Sequence, residues 1–579
     1  MNSKAMLEDT GQDLHRFFAA YESLYPGDVL TVDSAVSRDE DVTATVWSLA
    51  GQGRHPALRF NQVEGLHTPL VTNLFASRER VGRMLGGVSL AGIHAEYQAR
   101  SRRLVAPREL QSGAVTQQVK TSGIDLARDI PTIRHFATDR GPYITNAIIV
   151  AEDRDEGIGN VSYHRSMVHS PSEIATSLHS RGHLWRMLRA AEARGRPLPV
   201  AMVIGAHPLF MLAGAGRLPY GVDERHLAGG LFGAPLEVVR TPKYGIAVPA
   251  HAEFVIEGVI DPAARAEEGP FGEFTGYSSD RSTNNVLQVE TLLRRSDAWL
   301  LDVVGGNSAE HLNLGRIPRE SEMVEKLKER FPGVTAVHYP SSGTHFHAYV
   351  ALKQSRPGEA RQVMMGLLGW DPYLKTVIAV DEDVDVLRDE EVLWAMATHF
   401  QPHQDLFIVD GLPGSALDPS SSADGTTSRL GLDATRGPRF DGIREAVITA
   451  RSLQGSENKA ASDTGFVHVI LLWWRRAGAA SDGGSGVCCG VACSTDPGMT
   501  GLCRSGYRLA NGMPFFCNAR RPRCRRICHV GRGRPARPTV RKSDGRTGEA
   551  SDFRTVGRAA RRRDGSGGCG PARRAIPAR

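Results

Sequence analysis

Residues 252–260 read AEFVIEGVI, an apolar run punctuated by Glu253, Glu257 and Gly258, and runs of the same kind recur outward from it in both directions. Upstream lie PLEVVRT (235–241), PVAMVIGAHP (199–208), VSYHRSMV (161–168) and AIIVAED (147–153); downstream lie VLQVETLLR (286–294) and AWLLDVVGG (298–306). Runs of this length, rich in β-branched residues and separated by Gly, Pro and Asp clusters, predict strands. Only SEIATSLHSRGHLWRMLRAAEARG (172–195) reads as helix. Many strands with few helices predict an open or closed β-barrel for this middle segment.

The flanks read differently. Leu14, Phe17, Phe18 and Tyr21 recur at helical spacing ahead of a Pro26-Gly27 turn, which predicts a helix opening a domain. From about 40 to 110, β-rich runs (ATVWSLA, 44–50; TPLVTNLFA, 68–76) alternate with helical stretches such as RERVGRMLG (78–86). Beyond 318 the alternation returns with ESEMVEKLKERF (320–331), TAVHYP (335–340), AYVALK (348–353), RQVMMGLLG (361–369) and EEVLWAMATHF (390–400). The expected class is an α/β multidomain fold. It comprises an N-terminal α/β domain (1–117), a central split β-barrel (118–318), a C-terminal α/β domain (319–440) and a tail of different character (441–579).

A chain of 579 residues is long enough for several cores. Its 41% hydrophobic and 23% charged content is ordinary for globular chains. The run FVHVILLWW (466–474) is too short to cross a bilayer, so no membrane association is expected. The net charge of +6 conceals an asymmetry: residues 520–579 carry eighteen Arg, one Lys and four acids, which leaves the body acidic. Nucleic acid is therefore not expected as a partner of the body. All eight cysteines lie after residue 487, and MNSKAMLEDTGQDLHRFF has no secretory pattern. Both features predict a reducing, cytoplasmic setting.

Three clusters carry candidate chemistry. Asn160-Val161-Ser162-Tyr163-His164-Arg165 is predicted on a strand and Arg181-Gly182-His183 on or just past a helix; amide and imidazole donors suit a divalent ion, or serve as ordinary turn hydrogen-bonding groups. Glu224, in DERHLAGG, either completes such a site or caps a helix beginning near Arg225. Glu268 and Glu273 flank a Gly-Pro-Phe-Gly bend that brings two carboxylates toward one point, the alternative being a solvated acidic loop. Two such acids near an arginine suit general acid catalysis.

The ordered set NVSYHR (160–165), RGH (181–183), DERHLAGGLFGAPLEVV (223–239), VPAHAEFVIEGVI (248–260), EGPFGEFTGY (268–277), RQVMMGLL (361–368), KTVIAVDEDVD (375–385) and SRLGLDAT (428–435) resembles the UbiD family of decarboxylases. The resemblance implies prenylated FMN as cofactor and reversible, non-oxidative decarboxylation of an aromatic, heteroaromatic or α,β-unsaturated acid. It implies Asn160, His183 and Glu224 as ligands of Mn2+ or Mg2+ at the cofactor phosphate. Asn160, Val161, Ser162, Tyr163, His164, Arg165, Gly182, His183, Glu224 and Lys375 are implied as cofactor-binding residues. Arg165, Glu268 and Glu273 are implied as the catalytic network, with Glu273 as proton donor. It also implies K+ near the flavin, a flavin prenyltransferase supplying the cofactor, a flavin-binding central domain and a C-terminal domain forming a homodimer or higher oligomer. The rival class is a non-catalytic flavin-binding or assembly subunit.

Substrate contacts are expected from Gly305-Gly306-Asn307-Ser308-Ala309-Glu310-His311 with Arg316 or Arg319, or else this is a polar interdomain loop. From about Asp441 the composition departs from the family pattern, and an out-of-frame reading of GC-rich coding sequence is the expectation. A basic nucleic-acid-binding arm or a Cys/His knot at Cys524, Cys528 and His529 compete with it.

Overall fold

The computed structural model describes residues 6–7, 9–178, 182–280, 282–443 and 446. The tail apart from residues 441–443 and 446, with all eight cysteines, and Arg181 lie outside the described residues. Among those described, no helix is long and apolar enough to cross a membrane.

The centre is a nine-stranded sheet. Its core strands Ala147–Asp153, Leu198–Ile204 and Phe254–Glu268 pair antiparallel. The continuous apolar runs have a simple cause: successive side chains point to opposite faces, and both faces are covered. Ile148, Val150, Ala201, Val203 and Val255 enter one core, while Ile149, Ala151, Val200, Met202, Ile204, Phe254 and Ile256 enter another. The strand order begins with Tyr143–Ile144 and ends with Ala147–Asp153 and Ile158–Tyr163, so both ends of the order lie within one stretch of chain, 143–163.

The strand Phe254–Glu268 continues antiparallel into Ser282–Arg294, with register shifts between Glu257 and Gly258 and between Ile260 and Arg265. These long arms carry the acidic bend 269–280 at their connection. The helical reading of 172–195 is corrected: Glu173–Thr176 is a strand between Ser166–Ser170 and Ser282–Arg294, and helix runs only from His183–Ala193. Pairing on both edges overrides the local pattern.

An N-terminal four-stranded sheet (Val29–Val32, Ala57–Phe60, Leu70–Thr72) is completed by Leu300–Leu301, far along the chain. Residues 44–50, expected as a β-rich run, belong to the helix Asp41–Ala50, which buries Val42, Val46 and Leu49 at helical spacing. The predicted opening helix is Leu14–Leu24, capped by Asp13 and burying Leu14, Phe17, Phe18 and Tyr21. The C-terminal sheet has five strands in the order Val334–His338, His347–Leu352, Thr376–Asp381, Thr426–Asp433, Leu406–Pro413.

The helix expected to start at 320 begins at Ala309 and runs to Lys328 through Pro318, across the expected 318–319 boundary. Ser308 caps it by accepting from the amide of His311. The expected polar loop thus ends where this helix starts.

Candidate active site

Arg165 sits in the two-residue link between strands Ile158–Tyr163 and Ser166–Ser170, and it reaches both acids of the bend. Its Nη2 donates to Glu268 Oε2 at 2.8 Å, and its Nη1 contacts Glu273 Oε1. Glu268 is fully buried and Glu273 nearly so. Two further donors converge on Glu268: Tyr143 Oη on Oε1 at 2.8 Å, and Asn284 Nδ2 on Oε2 at 2.6 Å. Burial and the Glu268 carboxylate push the Tyr143 phenol far above its ordinary pKa, so it remains a donor. Among the described residues, Arg165 is the one side chain paired with the Glu273 carboxylate. The guanidinium also lies 5.3 Å from the centre of the Phe271 ring.

The bend itself is clamped by the segment 136–143. Asp139 Oδ1 accepts from Gly272 N at 2.8 Å and its Oδ2 from Phe136 N at 3.1 Å. Arg140 N donates to Pro270 O at 3.0 Å, and Gly269 N donates to Tyr143 Oη at 3.1 Å. Gly269 has φ +82°, a conformation open to glycine. At Gly272 a Cβ would stand 2.4 Å from Phe136 Cδ2, so only glycine allows this approach.

His164, next to Arg165, lines a cleft of about 740 Å3 together with Asn160, Val161, Ser162, Tyr163, Gly182, His183 and Glu224. The structure therefore gathers eight of the ten sequence-predicted cofactor residues on one cleft. Arg165 is the adjoining residue, whereas Lys375 is not brought there. Its Nζ is held by Asp418 at 2.8 Å and Ser420 at 2.6 Å, in the connection between the strands Leu406–Pro413 and Thr426–Asp433.

Glu224 is the first residue of the helix Glu224–Phe232, but the cap is Asp223, which accepts from Arg225 N. Glu224 instead accepts from Val161 N at 2.7 Å, which ties it to the strand that bears Asn160. Burial raises the Glu224 carboxyl to about 7, the cost of an anion lacking a counter-charge. Burial, then Arg186, lowers the His183 imidazole, favouring the neutral form that binds metals. Asn160 Nδ2 donates to Ser162 Oγ at 2.9 Å, which leaves its amide oxygen as the atom suited to a cation.

These residues fit a phosphorylated flavin and its cation. The helix His183–Ala193 starts at the cleft behind Gly182, which supplies no side-chain cap, so its first amides suit an anion. Tyr163 Oη is buried on the cleft wall without a partner among the described residues. The cleft volume lies within the ordinary range of cofactor pockets. Among the described residues, no three His, Cys, Asp or Glu side chains cluster as a metal site, so the set depends on the amide of Asn160.

Sequence reasoning missed Tyr143, Asn284 and Asp139. The signal for Asn284 is strand register alone: it pairs with Ala266, which puts it diagonally across from Glu268 on the same face.

The described chain thus places a central sheet, buried on both faces, between two α/β sheets, with an Arg-carboxylate network beside a cleft. The models of the 3-octaprenyl-4-hydroxybenzoate carboxy-lyase N-terminal domain, Rift-related domain and C-terminal domain match residues 25–99, 108–308 and 312–434. The chain belongs to the UbiD family. It is 33% identical to the anhydromevalonate phosphate decarboxylase of Aeropyrum pernix over 406 residues, covering 70% of this chain and 90% of the relative. Among solved structures it resembles the UbiD-class enzyme HmfF from Pelotomaculum thermopropionicum in complex with FMN, with TM-score 0.72 and 34% identity over 76% of this chain and 98% of that one. An evolved dimeric form of HmfF with prFMN gives TM-score 0.68 and 31% identity, covering 76% and 99%.

Proposed function

We propose that this chain catalyses reversible, non-oxidative decarboxylation of an aromatic, heteroaromatic or α,β-unsaturated carboxylic acid with prenylated FMN. The observation that carries the proposal is the bridging of Glu268 and Glu273 by Arg165, one residue beyond the cleft wall. Loss of CO2 from an sp2 carbon leaves an electron pair that water cannot stabilise, and the modified flavin, when bound, supplies the electron sink.

The chain's own residues bind, orient and protonate. Arg165 receives the substrate carboxylate as a charge-assisted pair. Tyr143 and Asn284 hold Glu268 in place while Arg165 does so. Glu273, paired among the described residues with Arg165, loses that counter-charge when substrate claims the guanidinium; the buried carboxylate then takes up a proton from solvent, and this proton passes to the carbon that lost CO2. Asn160, His183 and Glu224 would hold Mn2+ or Mg2+ against the cofactor phosphate, where a buried dianion needs a counter-charge.

The finer parts of the proposal are a K+ ion near the flavin, a flavin prenyltransferase partner, a homodimer and a cytoplasmic location. One structural neighbour, an evolved form of HmfF with prFMN, is dimeric, which supports the homodimer by likeness. A non-catalytic subunit is not favoured, because the Arg165, Glu268 and Glu273 positions are all present. The test is co-expression with a flavin prenyltransferase, followed by flavin absorbance and CO2 release across a panel of aromatic, heteroaromatic and acrylic acids. CO2 release that requires the prenylated flavin is expected; a flavin-loaded protein that releases none from any acid contradicts the proposal.

A further inference from the structure

On the helix Ala309–Lys328, Arg316 is 1% exposed, yet no carboxylate among the described residues lies within ion-pair distance of its guanidinium. Its partners are neutral oxygens: Ser341 Oγ at 3.2 Å and Thr344 O at 2.9 Å. The two buried carboxylates nearby are claimed by other groups. Glu320 is held by Arg78 at 2.6 Å and His338 at 2.8 Å, and Asp371 by Tyr339 Oη at 2.8 Å and Arg319 Nε at 3.4 Å.

Unmet polar atoms collect at the same place. Arg316 Nε, Arg319 Nη1, Thr344 Oγ1 and His345 Nδ1 are all buried without hydrogen-bond partners among the described residues. Thr344 is held at φ +51°, unusual for a β-branched residue, and strain of this kind concentrates at ligand sites. Burial pulls the Arg316 guanidinium down to about 9, and the fields of Glu320 and Asp389, opposed by those of Arg78 and Arg319, do not restore it.

The cluster adjoins the proton donor. The His345 ring lies 4.8 Å from the ring of Phe274, the residue after Glu273. The Arg319 guanidinium lies 4.9 Å from the Tyr373 ring, which is 5.8 Å from Phe274. A buried, unpaired cation is costly unless an anion arrives to share it. We propose that Arg316, with Arg319 and the Thr344–His345 turn, receives a second oxyanion carried by the acid substrate, either a carboxylate or a phosphate monoester. The inference rests on the decarboxylase reading and narrows its substrate to acids bearing a second anionic group.

The test is thermal unfolding of the full, flavin-loaded chain with benzoate, terephthalate or inorganic phosphate, in the wild type and in Arg316→Met, alongside CO2 release from acids with and without a second anion. The wild type should be stabilised more by terephthalate or by phosphate than by benzoate, and the member of the pair that acts identifies the oxyanion. Half-saturation for the doubly anionic acid should lie about tenfold or more lower, the size of one charge-assisted hydrogen bond. Arg316→Met should lose the preference while keeping its response to benzoate.

Equal responses to all three probes in the wild type, or an undiminished preference in Arg316→Met, would overturn the site. The wild-type comparison decides by itself should the variant not fold. Failure of the decarboxylase reading has a different signature, no CO2 from any acid while the anion preference persists.

Discussion

Tyr143 donates a 2.8 Å hydrogen bond to Glu268 across 125 residues of sequence, so one of the two acids paired with Arg165 is fixed by the clamp that holds its own loop. Removing that hydroxyl leaves a buried carboxylate oxygen short of a donor, which costs about 1–3 kcal/mol. Tyr143→Phe should keep flavin content near wild type and lower kcat by about tenfold or more, measured as CO2 release per bound flavin. Unchanged kcat would show that the contact plays no part in turnover.

Gly272 and Phe136 should prove energetically coupled. Gly272→Ala places a methyl group 2.4 Å from the Phe136 ring and should destabilise the chain by about 1–3 kcal/mol, the usual cost of overpacking. Phe136→Leu should relieve part of that loss. A double-mutant cycle in urea unfolding is expected to give a coupling above about 0.5 kcal/mol, whereas additive losses would refute the contact.

Stability should fall on acidification. Burial lowers the imidazoles of His207 and His94 to about 3 and about 4, against about 6.5 in an unfolded chain. Between those values the unfolded state binds protons that the folded state refuses, so stability is lost as pH drops from about 6.5 toward 4. His207 Nδ1 caps the helix Pro208–Gly214 by accepting from Leu209 N, a role that Asn can keep without titrating. In unfolding experiments across this range, His207→Asn should flatten the pH dependence; an unaltered slope would exclude His207 as a source.

Glu224→Ala should weaken retention of metal and flavin together, because the same carboxylate braces the strand at Val161 N and faces the cleft. Metal analysis and flavin absorbance of the purified variant check this. Normal loading of both would reject the ligand set.

Much of the site is legible in sequence because its parts are local. The bend from Glu268 to Gly276 holds two acids within six residues, and Asn160 to Arg165 forms one continuous strand end. What is hidden depends on pairing between distant segments. Asn284 reaches Glu268 only through the register that follows the shift between Ile260 and Arg265, and Tyr143 only because Tyr143–Ile144 pairs with Ser166–Ser170. The same physics explains the misread elements. Ile174 and Ala175 look helical until two neighbouring strands claim their backbone, and ATVWSLA looks like a strand until Val42, Val46 and Leu49 find a core on one helical face. Arg316 gave no local sign of its isolation, since ion-pair partners are a property of the packed interior.

The most direct measurement is CO2 release by Glu273→Gln, co-expressed with a flavin prenyltransferase and compared with wild type at equal flavin content. Glutamine preserves the shape of the side chain and removes its transferable proton, so turnover should fall by about two orders of magnitude or more, with flavin binding intact. Turnover at the wild-type rate in this variant would contradict the assignment of Glu273 as proton donor.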